Sequence, residues 1–106
     1  MAEKILVLVS CPEPVAESIA KPIVEEKLAA CVSIVGKAKS LYIWEDELCQ
    51  EEECLLFIKS TYQNWDNLEK RIKALHPYEV PEIIAFDIER GHGPYLDWLS
   101  DSLGKT

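Results

Sequence analysis

Positive charge is scarce in this sequence. Lysine and arginine together number 11 against 19 aspartates and glutamates, which gives the 106-residue chain a formal net charge of −8. Domains that bind nucleic acid carry a basic patch, and docking on an anionic membrane also depends on clustered basic residues. The composition therefore disfavours both classes of protein, and a cation is the more natural small partner.

Long apolar segments are missing as well. No run approaches the roughly 20 residues that a membrane-spanning helix needs, so no membrane insertion is expected. The run at residues 5–9 is too short for the core of a signal peptide, and only one lysine precedes it. We therefore expect a cytoplasmic protein with a single domain over residues 1–106, since this length suits one core.

Cysteine spacing excludes two further classes of site. The four cysteines contain no CxxC pair, so neither a zinc knuckle nor a thioredoxin-type motif is present. In a reducing compartment they should be free thiols. Cys31 is expected to pack as a small hydrophobic residue. Cys11 follows the first apolar run, is expected in a turn, and is the more reactive candidate.

Motifs of common enzymes are absent too. With only four glycines, the chain has no glycine-rich phosphate loop, and it has neither G-x-S-x-G nor H-E-x-x-H. No pair of nucleophile and base can be identified from the sequence. We expect a protein that is not an enzyme and that has no obligatory cofactor.

The patterns that are present predict an α+β fold. Apolar runs and alternation predict strands, and apolar residues at steps of three and four predict helices. The predicted order is strand 4–9, helix 15–28, strand 31–44 with a bulge or bend at Gly36, strand 53–61, helix 63–75, strand 83–88 and a short helix that begins at Pro94. This βαββαβ order, with an added C-terminal helix, is the ferredoxin-like split β-α-β pattern. It predicts an antiparallel sheet with both long helices on one face and no helix on the other.

A hairpin in the middle of the chain indicates oligomerisation. Its tip, residues 41–44 with sequence LYIW, would expose a large apolar patch in a monomer, and such patches usually mark an interface. Six acidic residues follow within residues 45–53, and residues 45–47 are the expected turn. They could attract cations, but a solvated turn is favoured because their spacing matches no calcium loop.

Residues 76–82, HPYEVPE, form the most informative segment. Its two prolines favour an extended backbone and so hold the polar side chains on a semi-rigid mount. The segment is either a simple helix-to-strand connection or part of a site. Lys59 either extends to the surface or pairs with Glu82. In the second case Trp44, Lys59, Tyr78 and Glu82 would line a binding pocket.

The same segment supplies a candidate metal ligand. His76 is either a donor at the end of the preceding helix or a ligand, and with Cys11 it could form part of a soft site for copper or zinc. Two protein ligands are fewer than a zinc site normally uses. Copper(II) or another divalent cation, weakly bound, is therefore the expected metal.

Five segments together resemble the CutA family, the divalent-cation tolerance proteins. They are LAACV at residues 28–32, SLYIW at 40–44, IKST at 58–61, HPYEVPE at 76–82 and YLDW at 95–98. The resemblance covers nearly the whole chain. It implies a ferredoxin-like subunit in a tight homotrimer, similar in build to the PII signalling proteins, and a link to copper and other divalent cations.

The chain also departs from this family's pattern. Val9 and Leu75 occupy two positions of the copper site described for some members, and only His76 matches it. Ser33 replaces the usual asparagine after LAACV. The resemblance implies a trimeric divalent-cation (copper) binding and tolerance protein. The alternative is a PII-like trimeric signalling, ligand-binding or partner-anchoring module without a metal function of its own.

Overall fold

The computed structural model describes residues 3–104, which form a four-stranded sheet and three α-helices. None of the helices in this range is long and apolar enough to cross a membrane. Short 3₁₀ turns precede the first two helices. The elements are β1 (Lys4–Cys11), α1 (Ala16–Glu25), β2 (Cys31–Trp44), β3 (Glu47–Thr61), α2 (Trp65–Leu75), β4 (Ile83–Asp87) and α3 (Gly93–Asp101).

The strands lie in the order β2-β3-β1-β4, and every neighbouring pair is antiparallel. This order places β3 between β1 and β2, and β1 between β3 and β4, which is what a split β-α-β chain requires. The predicted α+β fold class and antiparallel sheet are confirmed.

The core lies between α1, α2 and one face of the sheet. Alternate residues of β1 and β3 point into it, because side chains alternate across a strand. Val7 and Ile58 are opposite one another there and fully buried. From α2, Leu68 and Ile72 contribute to the same cluster, as the predicted helical stripe requires. Burying each such side chain contributes roughly 1.5–3 kcal/mol.

The second face of the sheet differs from expectation, because α3 occupies part of it. This helix contacts β3, and the phenol of Tyr95 lies near Cys31, which the strand register places on the second face. Leu99 of α3 is fully buried. The prediction of a face without a helix did not take α3 into account. The apolar stripe of this short helix has to be covered, and it packs on the second face of the sheet. At the other edge, Phe86 of β4 stays 51% exposed.

On the N-terminal side of Cys54, β3 continues together with β2 as a two-stranded ribbon. β1 ends opposite Cys54, so residues 47–53 of β3 pair with β2 alone. The ribbon reverses at Glu45 and Asp46, which both have positive φ, as a two-residue hairpin turn requires. The predicted turn is therefore one residue too long. The register shift between Val35 and Ala38 confirms that the strand is irregular at Gly36, where a bulge or bend was predicted.

The first strand runs two residues further than predicted. The strand was expected to end at Val9, with Cys11 in a turn. Instead Cys11 is the last residue of β1, opposite Cys54, and its side chain is fully buried. The prediction was wrong because local sequence does not report register: Ser10 pairs with Leu55 and Cys11 with Cys54, so the β1–β3 ladder continues to Cys11.

Candidate functional site

The histidine of the HPYEVPE segment connects that segment to the end of β1. The backbone of His76 is extended and its side chain is buried, with 7% of its surface exposed. The ring Nδ1 accepts a hydrogen bond from the Tyr78 N–H at 3.1 Å. The ring Nε2 lies 2.7 Å from the carbonyl oxygen of Ser10, so this nitrogen carries the proton and donates it. His76 therefore holds its own segment and β1 together.

Two further hydrogen bonds attach the same segment to the sheet. The Tyr78 hydroxyl donates to the Glu53 carboxylate on β3 at 2.9 Å. The Ser10 hydroxyl donates to the Glu82 carboxylate at 3.2 Å. The pKa of Tyr78 is raised well above its usual value. The larger cause is burial of the phenol, and the second is its hydrogen bond to Glu53. The phenol is therefore a stable hydrogen-bond donor at neutral pH.

Between this segment and the ribbon lies an open cleft of about 900 Å³. One wall carries the aromatic side chains of Tyr42 and Trp44, and Tyr78 faces them from the HPYEVPE side. Four carboxylates line the same space, those of Glu51, Glu53, Glu79 and Glu82. No lysine or arginine is among the lining residues of this cleft. Its electrostatic potential therefore favours a cationic occupant.

Of the four predicted pocket residues, Trp44, Tyr78 and Glu82 line the cleft and Lys59 does not. The Lys59 ammonium donates to the Ser33 hydroxyl at 3.0 Å and to the Phe57 carbonyl at 3.4 Å. Among residues 3–104 of a single chain it forms no ion pair with Glu82. The register explains this, because Lys59 pairs with Leu6 whereas Glu82 bonds to Ser10, four residues along β1.

His76 and Cys11, the two predicted metal ligands, are not available to a metal ion in this conformation. Each ring nitrogen of His76 already takes part in a hydrogen bond, so neither offers a free lone pair in this conformation. Burial raises the pKa of the Cys11 thiol to about 11, which keeps it protonated, and a metal ligand must be the thiolate. Within the described range no three histidine, cysteine or acidic side chains are grouped closely enough to hold a metal ion.

Sequence reasoning missed several residues that form the cleft. Ser10, Tyr42 and Glu53 were not predicted as site residues, yet all three line it. Glu51 and Glu53 are two positions apart on a strand, so they share a face, and this spacing was the available signal. The acidic cluster is thus only partly a solvated turn, because Glu53 is 95% buried.

The chain matches the family model described as CutA1 divalent ion tolerance protein over residues 5–102. This chain belongs to that family. A curated relative, the divalent-cation tolerance protein CutA of Thermus thermophilus, is 49% identical over 93% of this chain and 97% of its own length. The Xenopus laevis CutA homologue is 43% identical over 88% of this chain, which spans only 62% of that longer protein.

Solved structures of the family share the fold closely. The Oryza sativa CutA1 structure superposes with a TM-score of 0.96 at 40% identity, covering 99% of this chain and 97% of that one. The Thermus thermophilus Cut A1 structure gives 0.92 at 48% identity over 95% and 99%. The Archaeoglobus fulgidus structure, whose description calls that protein periplasmic, gives 0.90 at 34% identity over 93% and 97%.

Removing the Tyr78 hydroxyl should destabilise the protein. Tyr78→Phe leaves the buried Glu53 carboxylate without this donor, which we expect to lower the free energy of unfolding by about 1–3 kcal/mol. Tyr42→Phe is the matched control, because its hydroxyl lies 3.4 Å from the exposed Glu51 and should matter by less than about 0.5 kcal/mol. Urea denaturation measures both. Equal losses in the two variants would show that the Tyr78–Glu53 bond does not anchor the segment.

Proposed function

We propose that this protein is a homotrimer that binds divalent cations and acts in divalent-cation tolerance, with copper as the cation. Membership of the divalent ion tolerance family supports the tolerance role. The observation that carries the binding role is the cleft with four carboxylates and no basic side chain among its lining residues. The proposal is one of binding without catalysis.

The side chains available as metal ligands determine the expected affinity for copper. Ligands of high-affinity copper sites are imidazole and sulfur donors. In this chain both ring nitrogens of His76 are hydrogen-bonded, and burial keeps the Cys11 thiol protonated. They fit a copper ion poorly. The cleft carboxylates contribute a negative potential instead, since no three acidic side chains of residues 3–104 are grouped closely enough to form a ligand set. We therefore expect weak copper(II) binding that depends on the charge of the cleft.

Copper titration of charge variants tests this proposal. Glu51→Gln with Glu82→Gln should weaken copper(II) binding by about tenfold, because it removes two of the four cleft carboxylates. Glu25→Gln with Glu89→Gln makes the same change in net charge at exposed positions outside the cleft and should bind like wild type.

The outcomes of this titration separate the possible sites. Loss of binding in His76→Ala with full binding in the cleft variant would move the site to His76 and contradict the cleft assignment. No binding to any of the proteins would remove the metal function from the subunit.

A second candidate function rests on the aromatic side chains of the cleft. Trp44 and Tyr78 line the same space as the carboxylates, and this combination suits a small organic cation through cation–π and charge contacts. The role would then be that of a PII-like signalling or ligand-binding module. This second function is favoured over copper binding in the cleft if the cleft variants bind copper as the wild type does.

The trimeric state is supported by the exposed apolar side chains of the ribbon. Leu41, Ile43, Trp44 and Leu48 are each more than half exposed in the single subunit. Patches of this kind are usually covered by another chain. The proposed location is the cytoplasm, a reducing compartment in which the four cysteines would stay free thiols.

Sedimentation equilibrium tests the trimer. We expect three times the 12.0 kDa subunit mass at micromolar concentration. Trp44→Ala should weaken assembly, since truncating a buried aromatic costs about 3–5 kcal/mol. Tyr62→Ala removes an aromatic that is also more than half exposed but lies outside the ribbon, and it should leave the trimer intact. A folded wild-type monomer would contradict the proposal.

A further inference from the structure

Two cysteines face each other across the centre of the sheet. Cys11 is the last residue of β1, and the register pairs it directly with Cys54 of β3. Residues directly opposite on neighbouring strands point to the same face, so both thiols enter the face covered by α1 and α2. Cys11 is fully buried and Cys54 is 2% exposed. The other two cysteines lie apart, with Cys31 opposite Lys59 and Cys49 opposite Tyr42.

The spacing of this pair suits a covalent bond. The Tyr62 N–H donates to the Glu3 carbonyl, so Glu3 and Tyr62 form a hydrogen-bonded pair of the antiparallel ladder. Such pairs recur at every second position, which makes Cys11 and Cys54 a hydrogen-bonded pair as well, with Cα atoms about 5.5 Å apart. Disulfides span Cα separations of about 4.4–6.8 Å. The Cα separation of this pair therefore falls within the range that a disulfide spans.

One of the two cysteines borders a surface cleft. Cys54 lines a small surface cleft of about 390 Å³ together with Glu13 and Ile34. On the neighbouring strand Gly36 lies beside it, and a Cβ there would sit 4.0 Å from the Cys54 sulfur. Because glycine carries no side chain, nothing from that position covers the sulfur. Cys11 lines neither this cleft nor the larger one.

We propose that Cys11 and Cys54 form a reversible redox site, a dithiol that a peroxide converts into an intramolecular cross-strand disulfide. Cys54 attacks one peroxide oxygen, the O–O bond breaks, and a sulfenic acid and one water form. The Cys11 sulfur then attacks the Cys54 sulfur, the S–O bond breaks, and a second water leaves. The two thiols lose two electrons and two protons, and hydrogen peroxide accepts both to become two water molecules.

The environment of the pair makes the reaction slow and selective. Burial raises the pKa of both thiols, that of Cys11 to about 11, so thiolate is scarce at neutral pH. Once Cys54 is oxidised, Cys11 is the cysteine placed to react with it. The disulfide would join β1 to β3 next to Ser10 and Glu53, the residues that bond His76 and Tyr78. Oxidation thus acts on the strands that support the large cleft.

Intact mass under non-reducing conditions tests this site on the full-length protein. The decisive variant carries Cys31→Ser and Cys49→Ser, so that only the buried pair remains and the core is unchanged. Hydrogen peroxide should lower its mass by about 2 Da, the mass of two hydrogens, and dithiothreitol should restore it. Peptide mapping should find the cross-link between Cys11 and Cys54. Cys11→Ala and Cys54→Ala, each with Cys31 and Cys49 retained, should form no intramolecular link.

Other results would overturn the proposal. A double variant that keeps its mass, or that gains oxygen on a single cysteine without a cross-link, shows that the pair does not form a disulfide. A cross-link that maps to Cys31 or Cys49 in the wild-type protein, or that joins two chains, assigns the redox chemistry elsewhere. Because the double variant retains both buried cysteines, these outcomes do not depend on whether the alanine variants fold.

Discussion

The cleft of this protein depends on the imidazole of His76. One ring nitrogen accepts from the Tyr78 amide, and the other donates to the carbonyl at the end of β1. A buried polar group must be hydrogen-bonded or it destabilises the fold. The two partners of this ring, Tyr78 and Ser10, lie on segments that are not joined to each other by a β-ladder. The prolines restrict the backbone of the segment, while His76 fixes its position relative to the sheet. Tyr78 and Glu82 then reach Glu53 and Ser10.

The same anchoring explains why carboxylates can gather in the cleft. Glu53 is 5% exposed and accepts from Tyr78, so a donor partly offsets its loss of water, while Glu82 stays exposed and accepts from Ser10. A buried carboxylate without such a bond would be costly. This cost arises in the cleft that the aromatic side chains of the ribbon also line. Negative potential and aromatic surface together define what the cleft can hold.

Much of the fold could be predicted from the sequence, because periodicity, prolines and glycine report local structure. The strand from Cys31 to Trp44 and the bulge near Gly36 were predicted with their observed positions. Long-range register could not be predicted in the same way. Cys11 was placed in a turn because nothing local shows that β3 reaches it, and the Lys59–Glu82 pair failed within the subunit for the same reason.

The candidate site was predictable only in part. Trp44, Tyr78 and Glu82 were identified because aromatic and polar side chains stand beside prolines or at a ribbon tip. Ser10 and Glu53 were missed, since a serine in a strand and a glutamate in an acidic run have no distinctive local pattern. The role of His76 also depends on a contact 66 residues away, with Ser10. Sequence therefore identifies the segment but not the partners that position it.

The central claim, that His76 is a structural anchor rather than a free metal ligand, can be tested by ¹⁵N NMR of its ring in the metal-free protein. The hydrogen bonds predict a single neutral tautomer, with the proton on Nε2 and an unprotonated Nδ1 that accepts from Tyr78. The Nε2 proton should exchange slowly with water because the ring is buried. A proton on Nδ1, or rapid averaging between the two tautomers, would contradict the claim.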